Sequence, residues 1–112
     1  MGDVELARRV VEQPGWRWMA GMVDHEGNRI LDPSAVGAES VPDLDDWATA
    51  GAILGIIASY DALTDVVRDG RDWIVAVAID GDISGYAADT LGEAAVWALL
   101  AVWENLPEMP MA

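Results

Sequence analysis

Apolar residues dominate the stretch Val41–Tyr60, VPDLDDWATAGAILGIIASY, which carries no charged residue after Asp46. A helix that is apolar on nearly all sides is expected to be buried, so we predict the central helix of the core here. Pro42 and a capping Asp45 or Asp46 mark its start. The small residues of the stretch indicate close packing against a neighbouring element; they are Ala48, Ala50, Gly51, Ala52, Gly55 and Ala58.

After Tyr60 the apolar residues follow a period of two, which is typical of β-strands. We predict three strands, joined by tight turns at Gly70-Arg71 and Gly81-Asp82. The strands are Thr64–Asp69, Asp72–Asp80 and Ile83–Ala88. Because both faces of the middle strand are apolar, we expect it to lie at the centre of the sheet.

Helical patterns flank these elements at both ends of the chain. A first helix is predicted over Asp3–Gln13, ended by Pro14-Gly15. Thr90 and Glu93 match a capping box, T-x-x-E, which predicts a last helix over Leu91–Asn105. Its apolar residues form two stripes, and a single sheet cannot cover so wide an arc.

Two more strands are predicted before the central helix. Trp16 and Trp18 alternate with Arg17 and Met19 at strand spacing within Gly15–Met22, and a shorter strand at Asn28–Asp32 is ended by Pro33. The expected fold is therefore α+β. It has an antiparallel sheet of three to five strands, with helices packed mainly on one face, in the order αββαβββα. We expect residues 1–112 to form a single compact domain with a loose tail at 107–112.

The net charge of the chain limits the classes of partner that it can bind. The chain has twenty acidic residues and six basic ones, all arginine, and its formal net charge is −14. Such a field repels nucleic acid and anionic membranes and attracts basic proteins or cations. We therefore expect no direct nucleic-acid binding and no membrane contact. Without an apolar leader at the N-terminus, we expect a cytoplasmic protein. A salt-adapted or GC-rich source would also explain the acidity.

The distribution of the acids predicts a partner-binding surface. One group lies in the hairpins and a second lies in the loop before the central helix. If both groups share one edge, they form an anionic surface that could dock into a phosphate-binding groove; the alternative is a solvated acidic surface. The residues are Asp61, Asp65, Asp69, Asp72, Asp80 and Asp82 in the first group, and Asp43, Asp45 and Asp46 in the second.

Other chemistry has less support in the sequence. With one histidine, no cysteine and no nucleophile motif, we expect no enzyme, no catalytic residue and no cofactor. Asp80–Gly85 resembles half a calcium loop, but Leu91 stands where the loop needs a bidentate glutamate, so we predict a hairpin turn and no metal.

Two groups of aromatic residues carry further predictions. Trp16 and Trp18 are expected either to be core anchors or, with Arg17, to form an alternative ligand site in which the rings stack on a nucleotide and the arginine binds phosphate. Trp97, Leu100 and Trp103 predict a homodimer interface on the last helix.

Two segments carry a resemblance to a known family. GWRWMAGM at Gly15–Met22 and PDLDDWATAG at Pro42–Gly51 match G-W-R-W-M-x-G-M and P-D-L-x-D-x-A-T-x-G. The chain thus resembles a family of short uncharacterised proteins encoded by bacteriophages and prophages, although Trp47 stands where that family often has proline. The resemblance covers most of the chain in the order of its elements, and it implies a viral accessory protein.

Together with the charge, the resemblance leads to a functional hypothesis. We expect a counter-defence inhibitor, similar to anti-CRISPR proteins, whose acidic surface engages a basic nucleic-acid-binding surface of a host complex. The alternatives are a sponge for a nucleotide signal and a structural component of the phage.

Overall fold

Within residues 2–105 the chain forms a three-stranded antiparallel sheet and three α-helices, so the fold is α+β as predicted. The structure is a computed structural model, and it describes residues 2–105. The helices are α1 (Gly2–Val11), α2 (Trp47–Ser59) and α3 (Leu91–Glu104), with a short 3₁₀ turn at Pro33–Ala35. The tail predicted at 107–112 lies outside the described residues.

The strands of the sheet match the predicted strands to within one residue at each end. Its order is β1 (Leu63–Asp69), β2 (Asp72–Ile79) and β3 (Asp82–Ala88), with β2 in the centre. The second turn consists of Asp80 and Gly81, one residue earlier than the predicted Gly81-Asp82, because Asp82 already pairs with Ile79. Both turn residues have positive φ angles, 52° and 85°. This backbone conformation matches the right-handed twist of a two-residue hairpin, and Asp-Gly is a favoured sequence for it.

The helices cover one face of the sheet. Val75 and Val77 of β2 are fully buried beneath them, whereas Ile74 and Ala76 on the opposite, outer face are only partly buried. Two apolar side chains of the outer face are well exposed, Val67 at 42% and Ile83 at 66%. The apolar residues on both faces of β2 therefore correctly predicted that the strand is central, but only one of its faces is fully buried.

The most buried helix is α3, and the prediction that α2 is central was wrong. Eight of the fourteen residues of α3 are buried, and it packs against α1, α2, β2 and β3. Only five of the thirteen residues of α2 are buried. The small residues of α2 point largely outward: Ala48, Gly51, Gly55 and Ala58 are exposed, and nothing lies within 4 Å of a Cβ built on either glycine.

The two strands predicted before α2 are not formed. The β-pairing within the segment 12–46 is limited to two isolated bridges, Val23 with Arg29 and Asp24 with Pro42. Gly21 has a positive φ of 99°, which interrupts the extended run that the alternating tryptophans predicted. The segment is anchored instead by side chains that enter the core; they are Met22, Ile30, Val41 and Leu44.

Candidate functional site

Carboxylates gather at both ends of the sheet, and the strand register assigns them to one end or the other. The turn between β1 and β2 lies at the same end as the close of β3, and the Asp80-Gly81 turn lies at the opposite end. Since β2 has eight residues, its two ends are roughly 23 Å apart at about 3.3 Å per residue. The predicted acidic residues therefore form two separate groups.

The larger group surrounds the first turn of the sheet. Asp69 and Asp72 are direct cross-strand partners there, and Asp89 immediately follows β3. The loop before α2 reaches the same place, since its Asp45 lines a cleft together with Asp89. We call this group the acidic end; its members are Asp43, Asp45, Asp46, Asp69, Asp72 and Asp89.

The smaller group contains Asp61, Asp80 and Asp82. Asp61 follows α2, and Tyr60 beside it lines a shallow pocket with Asp80. Asp61 and Asp80 have positive φ angles of 60° and 52°. Aspartate tolerates this conformation better than most residues, so these two aspartates have a local structural role in their turns.

Three predicted binding residues share the outer face of the sheet. Asp65 pairs with Ala76 and Asp69 pairs with Asp72, which places the three carboxylates on the side that the helices leave open. Asp65 and Asp69 lie about 13 Å apart along β1. All three are exposed, and exposed Val67 lies between Asp65 and Asp69 on the same face.

A cleft at the acidic end joins residues that are far apart in the sequence. Trp47, the first residue of α2, lies edge-to-face with Trp73 of β2, with ring centroids 5.5 Å apart and planes at 76°. The cavity beside them has a volume of about 130 Å³. We call it the Trp47–Trp73 cleft; its lining residues include Leu44, Asp45, Asp46, Asp89 and Leu91.

Several hydrogen bonds fix the walls of this cleft. The carboxylate of Asp46 caps α2, accepting from the backbone N–H of Thr49 at 2.9 Å. The Thr49 hydroxyl lies 3.1 Å from the same carboxylate and accepts from the backbone N–H of Val23 at 2.9 Å. Asp43 accepts from the backbone N–H of Asp45 at 3.0 Å. The loop before α2 is therefore held in one conformation.

Asp24 is the one buried carboxylate among the described residues, at 5% exposure. Burial alone would raise its pKa. Hydrogen bonds from the backbone and side chain of Asn28 and from the backbone of Glu26, together with the charge of His25, outweigh that effect and lower the pKa below its ordinary value. Asp24 thus stabilises the turn at 24–28 in its ionised form.

We expect the free energy of unfolding to depend on pH through the ionisation of Asp24. Because its folded-state pKa lies below the unfolded value of about 3.9, the stabilisation is present above about pH 4 and is lost as the pH falls through the lowered pKa. Asp24→Asn should be less stable than the parent near neutral pH and should lose less stability on acidification. Urea unfolding across about pH 3–7 measures both, with Asp82→Asn as the exposed control. Parallel curves for the parent and Asp24→Asn would contradict this role.

Trp16, Arg17 and Trp18, the alternative ligand site, are placed by packing. The two indole rings meet edge-to-face at 5.6 Å, both side chains are partly buried against the core, and Arg17 is exposed. The Nε1 atom of Trp16 is buried without a hydrogen-bond partner in the described part of the chain. Met19, predicted on the side opposite the tryptophans, also packs against the core, and the faces of the two rings do not form a parallel stacking platform.

The residues of the predicted dimer interface are largely covered within the chain. Leu100 is 5% exposed, and Trp103 is partly buried, with its Nε1 donating to the Tyr60 hydroxyl at 3.0 Å. Trp97 remains 41% exposed, and the Arg9 guanidinium lies 5.5 Å from its ring centroid. Because α1 and α2 pack against α3, the wide apolar arc of this helix does not require a second copy.

Neither a cluster of metal-binding side chains nor a membrane-spanning helix is present in the part of the chain that the structure describes. No group of three metal-binding side chains lies together in residues 2–105. The Nδ1 atom of His25 lies 3.4 Å from both the N and the O of Val41. No helix in this range is long and apolar enough to cross a membrane.

Sequence reasoning missed the Trp47–Trp73 cleft. The two tryptophans lie in different predicted elements, and only the turn from β3 into α3 brings Asp89 beside them. Comparison of the chain with protein-family models, curated proteins and solved structures found no match.

Proposed function

We propose that this chain is a phage-encoded accessory protein that acts by binding in the cytoplasm of the host cell. It would be a counter-defence inhibitor whose acidic surface engages a basic nucleic-acid-binding surface, such as that of a CRISPR effector. The observation that carries the proposal is the acidic end, where six carboxylates gather around one end of the sheet. The resemblance of Gly15–Met22 and Pro42–Gly51 to phage proteins supports the viral origin.

The charge balance at the acidic end favours a basic partner. The guanidiniums of Arg68 and Arg71 lie near the first turn, against six carboxylates at the acidic end. Like charges facing each other across strands are destabilising, as for the Asp69–Asp72 pair. An arrangement that costs stability in the free protein and gains a counter-charge in a complex is consistent with a binding role.

The test is a charge reversal with a matched control. Asp65→Arg, Asp69→Arg and Asp72→Arg together should abolish capture of the partner from host lysate, because these carboxylates share one exposed face. Glu5→Arg, Glu12→Arg and Asp82→Arg change the net charge by the same amount, at exposed positions away from that face. Capture should persist in this control variant.

Two additions make the capture experiment specific. Mass spectrometry should identify the captured protein as a nucleic-acid-handling complex, and added DNA should release it. Raising the salt concentration should weaken capture steeply, because salt screens exposed charges. Capture that survives high salt, added DNA and the Asp65, Asp69 and Asp72 reversal would overturn the proposal.

A further inference from the structure

We infer that the Trp47–Trp73 cleft is a binding site for a cationic side chain, specifically an arginine guanidinium of a partner protein. The cleft measures about 130 Å³. On such a measure a single water molecule needs only about 10–15 Å³, so a planar group of several heavy atoms fits. The existence of a basic partner rests on the proposed function, whereas the preference of the cleft for a guanidinium rests on its own lining.

The exposure of Trp47 to solvent favours a ligand at the cleft. This indole is 64% exposed, although α2 offers a buried face only a few residues further along. Trp47 lies at the cleft opening, where its edge-to-face contact with Trp73 holds the ring in place. Tryptophan is the best aromatic partner for a cation, and it is also enriched among the residues that dominate binding energies.

The carboxylates that line the cleft favour a cation over an anion. Asp45, Asp46 and Asp89 line the cleft, and the side chain of Asp89 makes no hydrogen bond or ion pair to other residues within 2–105. The helices α2 and α3 both begin here, and each N-terminus contributes about half a positive charge. The carboxylate of Asp89, with which no other residue within 2–105 pairs, stays available to a cation beside these charges and the nearby guanidinium of Arg68. The side chains of Asp46 and Thr90 already accept from the N–H groups of Thr49 and Glu93, which makes an anion a poor ligand.

The shape and hydrogen-bonding groups of a guanidinium suit the cleft better than those of an ammonium group. A guanidinium can lie flat against an indole and donate two parallel hydrogen bonds to a carboxylate, whereas an ammonium group acts as a compact, strongly hydrated charge. One arginine of the chain already lies near a tryptophan of the cleft. The Cζ atom of Arg68 lies 5.2 Å from the centroid of the Trp73 ring, within the range of a cation–π interaction.

The walls of the cleft are organised before any ligand arrives. Asp46 is held through Thr49, and the backbone of Leu44 lies directly against Gly92 of α3. A ligand therefore does not have to order the loop, which lowers the cost of binding.

The test uses the full chain and two small probes that differ in charge alone. N-acetylarginine amide carries the guanidinium, and N-acetylcitrulline amide is its neutral counterpart of nearly the same shape. At constant ionic strength, the arginine probe should shift the indole N–H signals of Trp47 and Trp73 in nuclear magnetic resonance spectra in a saturable way, and the citrulline probe should not. The four other indoles provide internal controls; they are Trp16, Trp18, Trp97 and Trp103.

Variants assign the binding to the cleft. Trp47→Leu should weaken binding of the arginine probe by about two- to thirtyfold, the range of one cation–π contact. Asp89→Asn, at an exposed position, should weaken it without affecting the fold, and Asp82→Asn at the opposite end of the sheet should leave it unchanged. A linear response, equal shifts with citrulline, or unchanged binding in both cleft variants would overturn the inference.

The results separate this inference from the proposed function. Saturable arginine binding, combined with capture that survives the Asp65, Asp69 and Asp72 reversal, would leave the cleft as a site and reject the acidic-surface function. Loss of capture in that variant without any response to the arginine probe would support the function and reject the cleft.

Discussion

Gly92→Ala is expected to destabilise the protein by about 1–3 kcal/mol or more, the cost of forcing extra volume into a packed interior. A Cβ on Gly92 would overlap the carbonyl oxygen of Leu44 and lie 2.8 Å from its carbonyl carbon. Backbone atoms cannot turn aside as a flexible side chain can, so either α3 or the loop before α2 must move. Urea unfolding of the purified variant measures the loss.

Gly55→Ala is the matched control for this change. It makes the same substitution in another helix, at a position where nothing lies within 4 Å of the added Cβ. Alanine is favoured over glycine in helices by about 0.8–1.0 kcal/mol, so this variant should be more stable than the parent. Equal effects of the two variants, in either direction, would show that the contact between Gly92 and Leu44 does not form.

Thr49→Val is expected to cost about 1–3 kcal/mol, because it leaves a buried backbone donor unsatisfied while preserving the shape of the side chain. The Thr49 hydroxyl accepts from the N–H of Val23 at 2.9 Å and is completely buried. It connects the long segment 12–46 to α2. Without it, the amide of Val23 should exchange with solvent deuterium much faster than in the parent.

Thr49→Ser distinguishes the hydrogen bond from simple packing. Serine keeps the hydroxyl and removes only a methyl group, so the stability falls through a small cavity while the Val23 amide stays protected. Similar exchange rates for the Val23 amide in the serine and valine variants would contradict the role given to this hydroxyl.

The strands and α3 could be predicted from the sequence because their signals are local. The period-two pattern and the glycine at Gly81 define β2 and β3 within neighbouring residues, and Thr90 caps α3 through the N–H of Glu93, 3.2 Å from its hydroxyl. These elements need no information from distant parts of the chain.

The orientation of α2 and the fate of the segment before it were not predictable in this way. A helix that is apolar nearly all round has little preferred direction, so the sequence could not show that Gly51 and Gly55 would face outward. The alternation of Trp16 and Trp18 indicates which side is inward, but a strand also requires a partner edge. The segment packs against the helices instead, with the side chains of Met22 and Leu44 in the core and the Trp103 indole of α3 against Gly15.

The candidate site was predictable only in part. The sequence shows how many carboxylates the chain carries, but the strand register decides that Asp72 and Asp80 lie at opposite ends of the sheet. The Trp47–Trp73 cleft depends on contacts between α2, β2 and α3, and no spacing in the sequence encodes such a contact.

The position of α3 along the chain has a consequence for how the protein is made. This helix packs against α1, α2 and the sheet, and it is the last of the described elements in chain order. During synthesis the inward side chains of the earlier elements, such as Ile53 and Val75, have no complete core to enter until α3 emerges. The ribosome-bound chain must therefore remain soluble with these surfaces uncovered, and mutual repulsion between strongly acidic nascent chains helps to keep them apart.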